Sequence, residues 1–132
     1  MPAIGRFLLD TNIVIALLAG DQSVSSNLDQ ASEVFIPAIV LGELFFGAAK
    51  SGRPSENTGR VERFAAGRSI LSCDIDVARE YGRLRQRLRG GKGKPLPEND
   101  IWIAATAKYH ELILVTRDRH FREVENLAIA DW

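Results

Sequence analysis

The sequence predicts an α/β fold in which helices cover both faces of a central parallel sheet of four to five strands. Three observations lead to this prediction. Short apolar segments alternate with longer segments of helical periodicity along most of the chain. Capping residues, glycine or proline stand at most of the junctions between them. The length of 132 residues and the 45% hydrophobic fraction fit one globular domain over residues 1–132.

The first strand, Arg6–Leu9, runs directly into Asp-Thr-Asn at 10–12, residue types that favour a helix N-cap. A helix over 12–19 follows and stops at Gly20. The other predicted strands are Glu33–Ile36, Ser69–Cys73, Leu112–Val115 and an edge strand at Leu127–Ala130. The other predicted helices lie near 24–32, from Pro37 to about Lys50, from the end of a Ser51–Thr58 loop to about Ala66, from Asp74 or Asp76 to Gly90, and from Glu98 to about Tyr109.

The charge of the chain is distributed unevenly. The formal net charge is zero, yet residues 79–94 contain seven basic residues and one acidic residue. Helical periodicity places Arg79, Arg83 and Arg87 on one side of a helix whose other side is apolar. A cationic stripe suits a polyanion such as nucleic acid, although a solvated helix face fits the same pattern.

Several classes of protein and site are disfavoured. Cys73 is the only cysteine, which excludes an internal disulfide and a metal site built from cysteines. The apolar runs are far shorter than a membrane helix requires, and residues 1–6 do not resemble a secretion signal. The expected location is therefore the cytoplasm, with no membrane contact.

Two acidic residues follow predicted strands. Asp10 comes directly after the first strand, and Asp118 lies just beyond the strand that ends at Val115. Ligands of open α/β sheets bind beyond the carboxyl ends of the strands. Each residue also has a simpler interpretation, because Asp10 can cap a helix and Asp118 can close a turn.

Two further acidic residues lie among apolar neighbours on predicted helices. The helical neighbours of Glu43 are Ile39, Val40, Phe46 and Gly47. Asp100 likewise has nonpolar helical neighbours, namely Pro97, Ile103 and Ala104. A carboxylate in such surroundings is costly unless it is paired or binds a metal. The alternatives are a buried ion pair with arginine for Glu43 and a favourable helix-dipole position for Asp100.

Taken together, the four carboxylates of Asp10, Glu43, Asp100 and Asp118 indicate one acidic site. They would repel each other unless a cation lay among them. Oxygen ligands favour hard ions such as Mg²⁺ or Mn²⁺. Two such ions can activate a water and stabilise the leaving oxygen of a phosphodiester.

The chain resembles the PIN-domain family, and within it the VapC toxins of toxin–antitoxin pairs. The matching segments are Leu-Leu-Asp-Thr-Asn at 8–12, Leu-Gly-Glu-Leu at 41–44, Asn-Asp-Ile-Trp-Ile-Ala-Ala-Thr-Ala at 99–107 and Leu-Val-Thr-Arg-Asp at 114–118. The resemblance implies that these four acids are catalytic and metal-binding, supported by Asn12 and Thr116. It further implies a Mg²⁺- or Mn²⁺-dependent endoribonuclease acting on transfer RNA or other structured RNA, a homodimer, and inhibition by a small antitoxin that docks in a hydrophobic groove.

Basic residues are candidates for contacts with the RNA backbone. The predicted substrate-binding residues are Arg83, Arg87, Lys92, Lys94, Arg117 and Arg119. The two histidines, His110 and His120, are candidate general acids, with a surface or helix-end position favoured. Phe45 and Phe46 are candidates for the antitoxin groove, with a core position favoured.

Three other functions compete with the nuclease. A haloacid-dehalogenase-type phosphatase would want a second Asp where Asn12 stands. A receiver domain would need an acidic pair after the first strand, although Asp74 is placed to act as phosphoacceptor. A PIN-like fold used only to bind RNA or protein is the third, and the four intact acids argue against it.

Overall fold

The computed structural model describes residues 5–89 and 96–132. Within these ranges, five parallel strands form one sheet in the order β3-β2-β1-β4-β5. The strands are β1 (Arg6–Leu9), β2 (Glu33–Pro37), β3 (Ser69–Leu71), β4 (Ile113–Val115) and β5 (Ile129–Ala130). The six α-helices of the same ranges are α1 (Thr11–Leu18), α2 (Gln22–Gln30), α3 (Ala38–Ala49), α4 (Pro54–Ala65), α5 (Ile75–Leu88) and α6 (Glu98–Tyr109).

The first strand lies at the centre of the sheet. Leu8 of β1 is in register with Phe35 of β2 on one side and with Leu114 of β4 on the other. The chain winds outward from β1 to β2 and β3, and then from β4 to β5 on the opposite side. The direction of winding therefore reverses between β1 and β4, which is where ligands bind in open α/β sheets.

The predicted sheet is confirmed, with corrections to the ends of its elements. The predicted Ser51–Thr58 loop is wrong in its second half, because α4 already begins at Pro54. Proline at the first helical position needs no hydrogen-bonded amide, so the single proline of this segment, Pro54, marks a helix start. Strand β3 is also shorter than predicted and ends at Leu71. The expected helix end at Gly90 lies outside the described residues.

Helices α5 and α6 pack against each other. Val77 and Leu84 of α5 are buried, which confirms the predicted apolar side of this helix. Tyr81 stacks on Trp102 of α6 with ring centroids 3.9 Å apart. Arg85 and Glu98 form an ion pair between the same two helices. Helix α6, which carries Asp100, is thus fixed by α5.

Trp132 contacts the segment that follows β4. Trp132 is buried, and its ring packs edge-on against Phe7 of β1. The guanidinium of Arg117 donates hydrogen bonds to the carbonyl of Trp132 (2.8 Å) and to Asp21 Oδ2 (3.0 Å). These contacts hold the loop between Val115 and Asp118 at the end of the central strands. No helix of the described ranges is long and apolar enough to cross a membrane.

Candidate active site

The ends of the two central strands bring Asp10 and Thr116 together. The peptide N–H of Asp10 donates to the carbonyl of Val115 (3.0 Å), so the ladder between β1 and β4 continues to this point. Thr116 is the next residue after Val115 and is only 3% exposed, while Asp10 is 4% exposed. A carboxylate and a hydroxyl are therefore buried at the point where the sheet changes direction.

The carboxylate of Asp10 is held by three hydrogen bonds. Its Oδ1 accepts from the peptide N–H of Thr11 at 2.8 Å. Its Oδ2 accepts from the Thr116 hydroxyl at 2.7 Å and from Asn12 Nδ2 at 3.0 Å. Asp10 is also the N-cap of α1, so the simpler interpretation of this residue is correct as well. A cap and a site carboxylate are compatible because each oxygen has more than one lone pair.

Asn12 and Thr116, which the resemblance names as supporting residues, both donate hydrogen bonds to Asp10, and their role at a metal site stays a prediction. The peptide N–H of Arg117 donates to Asn12 Oδ1 (3.2 Å), which directs Asn12 Nδ2 towards Asp10. Thr116 Oγ1 in turn accepts from the peptide N–H of Asp118 at 3.0 Å. One connected network thus links the start of α1 with the loop after β4.

Asp118 begins a short 3₁₀ helix, Arg119–Glu123, as its N-cap. Its Oδ1 accepts from the peptide N–H of His120 (2.9 Å) and lies 2.8 Å from His120 Nδ1. The predicted turn interpretation is therefore also correct. Both contacts end on one oxygen, and Oδ2 accepts no hydrogen bond from the described residues.

Glu43 projects from the middle of α3. Its Oε1 is buried and has no hydrogen-bond partner among the described residues, and the same holds for the hydroxyl of Thr11. Thr11 lies close enough to lower the pKa of Glu43, although the two groups do not make a hydrogen bond of ordinary geometry. Burial and, to a smaller extent, the charge of Asp10 outweigh this effect and raise the pKa of Glu43.

The predicted alternative for Glu43, a buried ion pair with arginine, finds no support: within residues 5–89 and 96–132 no basic side chain lies within ion-pair distance of it. A buried carboxylate oxygen without a partner is costly. An oxygen of this kind suits a bound cation or an ordered water.

Asp100 lies in the first turn of α6, as its helix-dipole interpretation predicted. Burial raises its pKa to about 6, and the charges of Asp10, Asp118 and Glu43 contribute in the same direction. Burial, together with the charge of Asp118, also raises the pKa of Asp10 against the effect of its hydrogen bonds. The four acids therefore share one electrostatic environment, and the charge of His120 acts in the opposite direction on the pKa of Asp100.

The carboxylates do not form a closed cage. Within the described ranges, no three His, Cys, Asp or Glu side chains come close enough together to hold a metal ion directly. The arrangement still fits a hard divalent cation. The donors are carboxylate oxygens, one buried oxygen is unpartnered among the described residues, and burial together with the charges of neighbouring acids raises the pKa values of three of them. Water would complete such a shell, as is usual for Mg²⁺.

An open groove adjoins Glu43. It has a volume of about 510 Å³ and runs along the outer side of α3. Its lining consists of Ala38, Ile39, Gly42, Glu43, Phe46, Cys73 and Asn99. Phe46 is 66% exposed, which corrects the expectation of a core position for this side chain, while Phe45 packs against the core.

The predicted substrate-binding residues lie in different surroundings. Arg83 pairs with Glu80 of its own helix (3.2 Å), and Arg87 and Arg119 are exposed. The guanidinium of Arg117 contacts Asp21 and Trp132. Lys92 and Lys94 lie outside the described residues. Contact of these residues with RNA remains a prediction.

Two site features were missed or underrated by the sequence analysis. The contact between His120 and Asp118 was signalled by their two-residue spacing in a turn, which brings a side chain back towards the capping residue. Thr11 was treated only as part of a capping segment. Asp74, the residue on which the receiver alternative depended, caps α5 beyond the edge strand β3, two strands away from Asp10.

Known proteins resemble this chain over nearly its full length. The family model for the PIN domain matches residues 7–127. Ribonuclease VapC2 of Haemophilus influenzae is 35% identical over 130 residues, covering 96% of this chain and 98% of that protein. The tRNA(fMet)-specific endonuclease VapC of Shigella flexneri is 35% identical over 131 residues, with the same coverage.

Solved structures agree with this relationship. A chain in the crystal structure of VapBC2 from Rickettsia felis, bound to a DNA fragment from its promoter, superposes with a TM-score of 0.87 at 29% identity and covers 98% of this chain and 99% of that one. A chain of DNA-bound VapBC from Salmonella typhimurium gives 0.87 at 34% identity, with 96% and 98% covered. The family match and these relatives place the chain in the PIN-domain family, among proteins similar to the VapC ribonucleases.

Proposed function

We propose that this protein is a metal-dependent endoribonuclease that hydrolyses phosphodiester bonds of transfer RNA or other structured RNA, and that it is the toxin of a toxin–antitoxin pair. The observation that carries the proposal is the buried, unpartnered Glu43 Oε1 in a cluster with Asp10, Asp100 and Asp118. The relatives support it, since they bear the names ribonuclease and tRNA(fMet)-specific endonuclease.

The residues that would hold Mg²⁺ or Mn²⁺ are Asp10, Glu43, Asp100 and Asp118, in part through water. The bound cation would lower the pKa of a water and neutralise charge on the phosphate. The protein itself contributes orientation. Thr116 and Asn12 hold Asp10 Oδ2 in one position, so that little reorganisation is needed when a cation and RNA arrive.

The negative charge of the four acids favours hydrolysis over simple binding. A surface that only bound RNA would gain nothing from four mutually repelling carboxylates, because they also repel the phosphates of the ligand. A bound cation would replace this repulsion of the phosphates by attraction at one point of the surface. The acidic cluster is therefore best explained as the place where one phosphodiester is brought to a metal.

The test is cleavage of total transfer RNA by purified protein that is free of any antitoxin. Wild type would be assayed with Mg²⁺, with Mn²⁺ and with EDTA, beside Asp10→Asn and the matched control Asp29→Asn, which changes an exposed aspartate of α2. The expected result is discrete fragments that require metal, persist in the control and disappear with Asp10→Asn. Sequencing of the fragment ends would identify the RNA and the bond that is cut.

Two other results would contradict the proposal. Cleavage that survives Asp10→Asn would assign the activity to a contaminant or to another site. Binding of transfer RNA without cleavage, by folded protein in either metal, would favour the binding-module alternative.

The proposed partner is an antitoxin chain that docks in the groove beside Glu43. The solved relatives are described as VapBC, and one is described as a toxin–antitoxin complex from Klebsiella pneumoniae. The groove presents the exposed ring of Phe46 next to an acidic residue, which suits a segment with apolar and basic side chains. A homodimer of this chain is proposed on the resemblance to the family.

Co-purification with the proposed antitoxin tests this docking site. Phe46→Ala is expected to weaken the complex, because it removes the largest exposed apolar surface of the groove. Tyr109→Ala is the control, since Tyr109 is also an exposed aromatic residue but does not line the groove. Equal recovery of both complexes would exclude the groove as the docking site.

A further inference from the structure

The side chain of Arg117 joins two segments that lie far from it in the sequence. Its Nη2 donates to the carbonyl of Trp132 at 2.8 Å and to Asp21 Oδ2 at 3.0 Å. The side chain of Arg117 is 38% exposed, which is less than for any other arginine that forms an ion pair within the described ranges. A partly shielded pair that shares a further hydrogen bond keeps its geometry better than an isolated surface pair.

Both acceptors of Arg117 are themselves fixed by the fold. Asp21 caps α2, since its Oδ1 accepts from the peptide N–H of Val24 at 3.1 Å. The peptide N–H of Asp21 donates to the carbonyl of Ala16 in α1 at 3.0 Å. Trp132 is buried and packs against the ring of Phe7. The guanidinium is therefore anchored to two ordered segments, one of them attached to α1.

The peptide group of Arg117 contacts the acidic site. Its N–H donates to Asn12 Oδ1 at 3.2 Å, and Asn12 Nδ2 donates to Asp10 Oδ2 at 3.0 Å. An amide side chain accepts with one branch and donates with the other, so this N–H selects the orientation in which Asn12 can donate to Asp10. Hydrogen bonds and the arginine itself thus connect Asp21 with Asp10.

We infer that Arg117 is a positioning residue, whose anchored side chain fixes the peptide N–H that orients Asn12 on Asp10. This inference rests on the proposed function, because it requires that Asp10 contribute to a metal site. It differs from the RNA contact predicted for Arg117, since the guanidinium already makes two hydrogen bonds within the chain.

Two variants remove the anchor in different ways. Arg117→Met keeps an unbranched stem but has no donor. Asp21→Asn keeps an oxygen that can cap α2, while its amide presents N–H donors to the guanidinium in place of an acceptor. The controls are Arg53→Met and Asp29→Asn, which change an exposed arginine and an exposed aspartate. Thermal unfolding without metal would check that each variant is folded.

Mn²⁺ binding is measured by electron paramagnetic resonance of the free ion, with no RNA present, at about pH 8, where carboxylates are ionised. We expect Arg117→Met to bind about threefold to 10-fold more weakly than wild type, near the lower limit for residues that support a metal ligand. Loss of a positive charge would by itself strengthen the binding of a cation, so weaker binding reports a change of position. Asp21→Asn should show a similar loss, and both controls should bind within about twofold of wild type.

A double-mutant cycle with Asn12→Ala tests the route of the effect. Asn12→Ala alone should weaken Mn²⁺ binding about 10-fold. Because Arg117 acts through Asn12, adding Arg117→Met should weaken binding by no more than about a further twofold. Losses that multiply in the double variant would overturn the inference, since Arg117 would then act by another route.

The remaining outcomes separate the inference from its alternatives. Wild-type affinity in Arg117→Met, with weak binding in Asn12→Ala, would overturn the inference and leave the metal site intact. RNA binding in EDTA tests the phosphate contact: a salt slope that Arg117→Met lowers by about 0.9, with Mn²⁺ affinity unchanged, would assign Arg117 to the RNA instead. Absence of Mn²⁺ binding by wild type would contradict the proposed function itself, and this inference with it.

Discussion

The two halves of the acidic cluster are built differently. The strand-end half, Asp10, Asn12, Thr116 and Asp118, is a connected network in which Asp10 accepts three hydrogen bonds. The helix half consists of Glu43 on α3 and Asp100 on α6. Neither of these carboxylates accepts a hydrogen bond of ordinary geometry from the described residues, and Glu43 Oε1 is buried.

Because of this difference, we expect the two halves to respond differently to a bound cation. In the strand-end half, the fold itself supplies three hydrogen bonds to the carboxylate of Asp10, whether or not a cation binds. The helix half carries partly buried carboxylates that accept no hydrogen bond from the described residues. A divalent cation would therefore stabilise the helix half most, and the strand-end half would determine where the cation sits.

The largest effect is expected from Asp10→Asn. It removes a charge from the most buried acid, and its amide group replaces an oxygen that accepts two hydrogen bonds. Loss of a group that only orients a metal ligand costs about 10–100-fold, so loss of the ligand should reduce metal-dependent RNA cleavage at least about 100-fold. Initial rates at saturating Mn²⁺ measure this, and a decrease of less than about 10-fold would place the reaction elsewhere.

Thr116→Val should weaken the strand-end half without changing its charge. The substitution removes the hydroxyl that donates to Asp10 and accepts from the peptide N–H of Asp118. Leaving these buried groups unpaired should lower the free energy of unfolding by about 1–3 kcal/mol. Urea denaturation measures the change. Thr116→Ser keeps the hydroxyl and should retain most of the stability, so equal losses in both variants would point to packing instead.

The helix half should make the metal-free protein less stable at higher pH. Burial raises the pKa of Asp100 from its usual 3.8 to about 6, so between these values the folded chain binds more protons than the unfolded chain. The free energy of unfolding should therefore fall as the pH rises from about 4 to about 6, by roughly 1–2 kcal/mol for a partly exposed carboxyl.

Asp100→Asn should reduce this slope, and Asp29→Asn, which alters an exposed aspartate, should not. Thermal unfolding in EDTA at several pH values measures both. The raised pKa values of Asp10 and Glu43 have the same sign and should leave part of the slope in place. If the free energy of unfolding of Asp100→Asn depended on pH as steeply as that of wild type, the raised pKa of Asp100 would not contribute to stability as described.

The smallest effect is expected outside the cluster, on α5. Replacing Arg83 and Arg87 with alanine should weaken RNA binding a few-fold and make its dependence on salt less steep, by at most about 1.8 in the log–log slope for two lost phosphate contacts with structured RNA. Arg53, which caps α4, and Arg63 of α4 are exposed and provide the control pair. An identical slope in both double variants would remove α5 from the RNA-binding surface.

The sequence predicted those features of the site that depend on local structure. Asp10 is positioned by the strand before it and the helix after it, and both have clear local signals. The start of α4 was missed because proline is typical of loops and of first helical turns alike. The elements could therefore be found, but with errors at their ends.

Contacts between distant segments were out of reach of the sequence. The orientation of Asn12 depends on the peptide N–H of Arg117, which is more than a hundred positions away along the chain. The unpartnered oxygen of Glu43 is defined by which side chains from other elements fail to reach it. Periodicity predicts that a carboxylate lies on an apolar face, but only the packed structure gives its partners.

The most direct test of this account is thermal unfolding with and without Mn²⁺ in a variant that neutralises the helix half, Glu43→Gln with Asp100→Asn. The control combines Glu62→Gln with Asp29→Asn, both at exposed positions. Above about pH 7, in EDTA, the helix-half variant should unfold at a higher temperature than wild type. Mn²⁺ should raise the midpoint of wild type and control, and should raise that of the helix-half variant far less. A variant that is less stable than wild type in EDTA, or that Mn²⁺ stabilises to the same degree, would contradict the account.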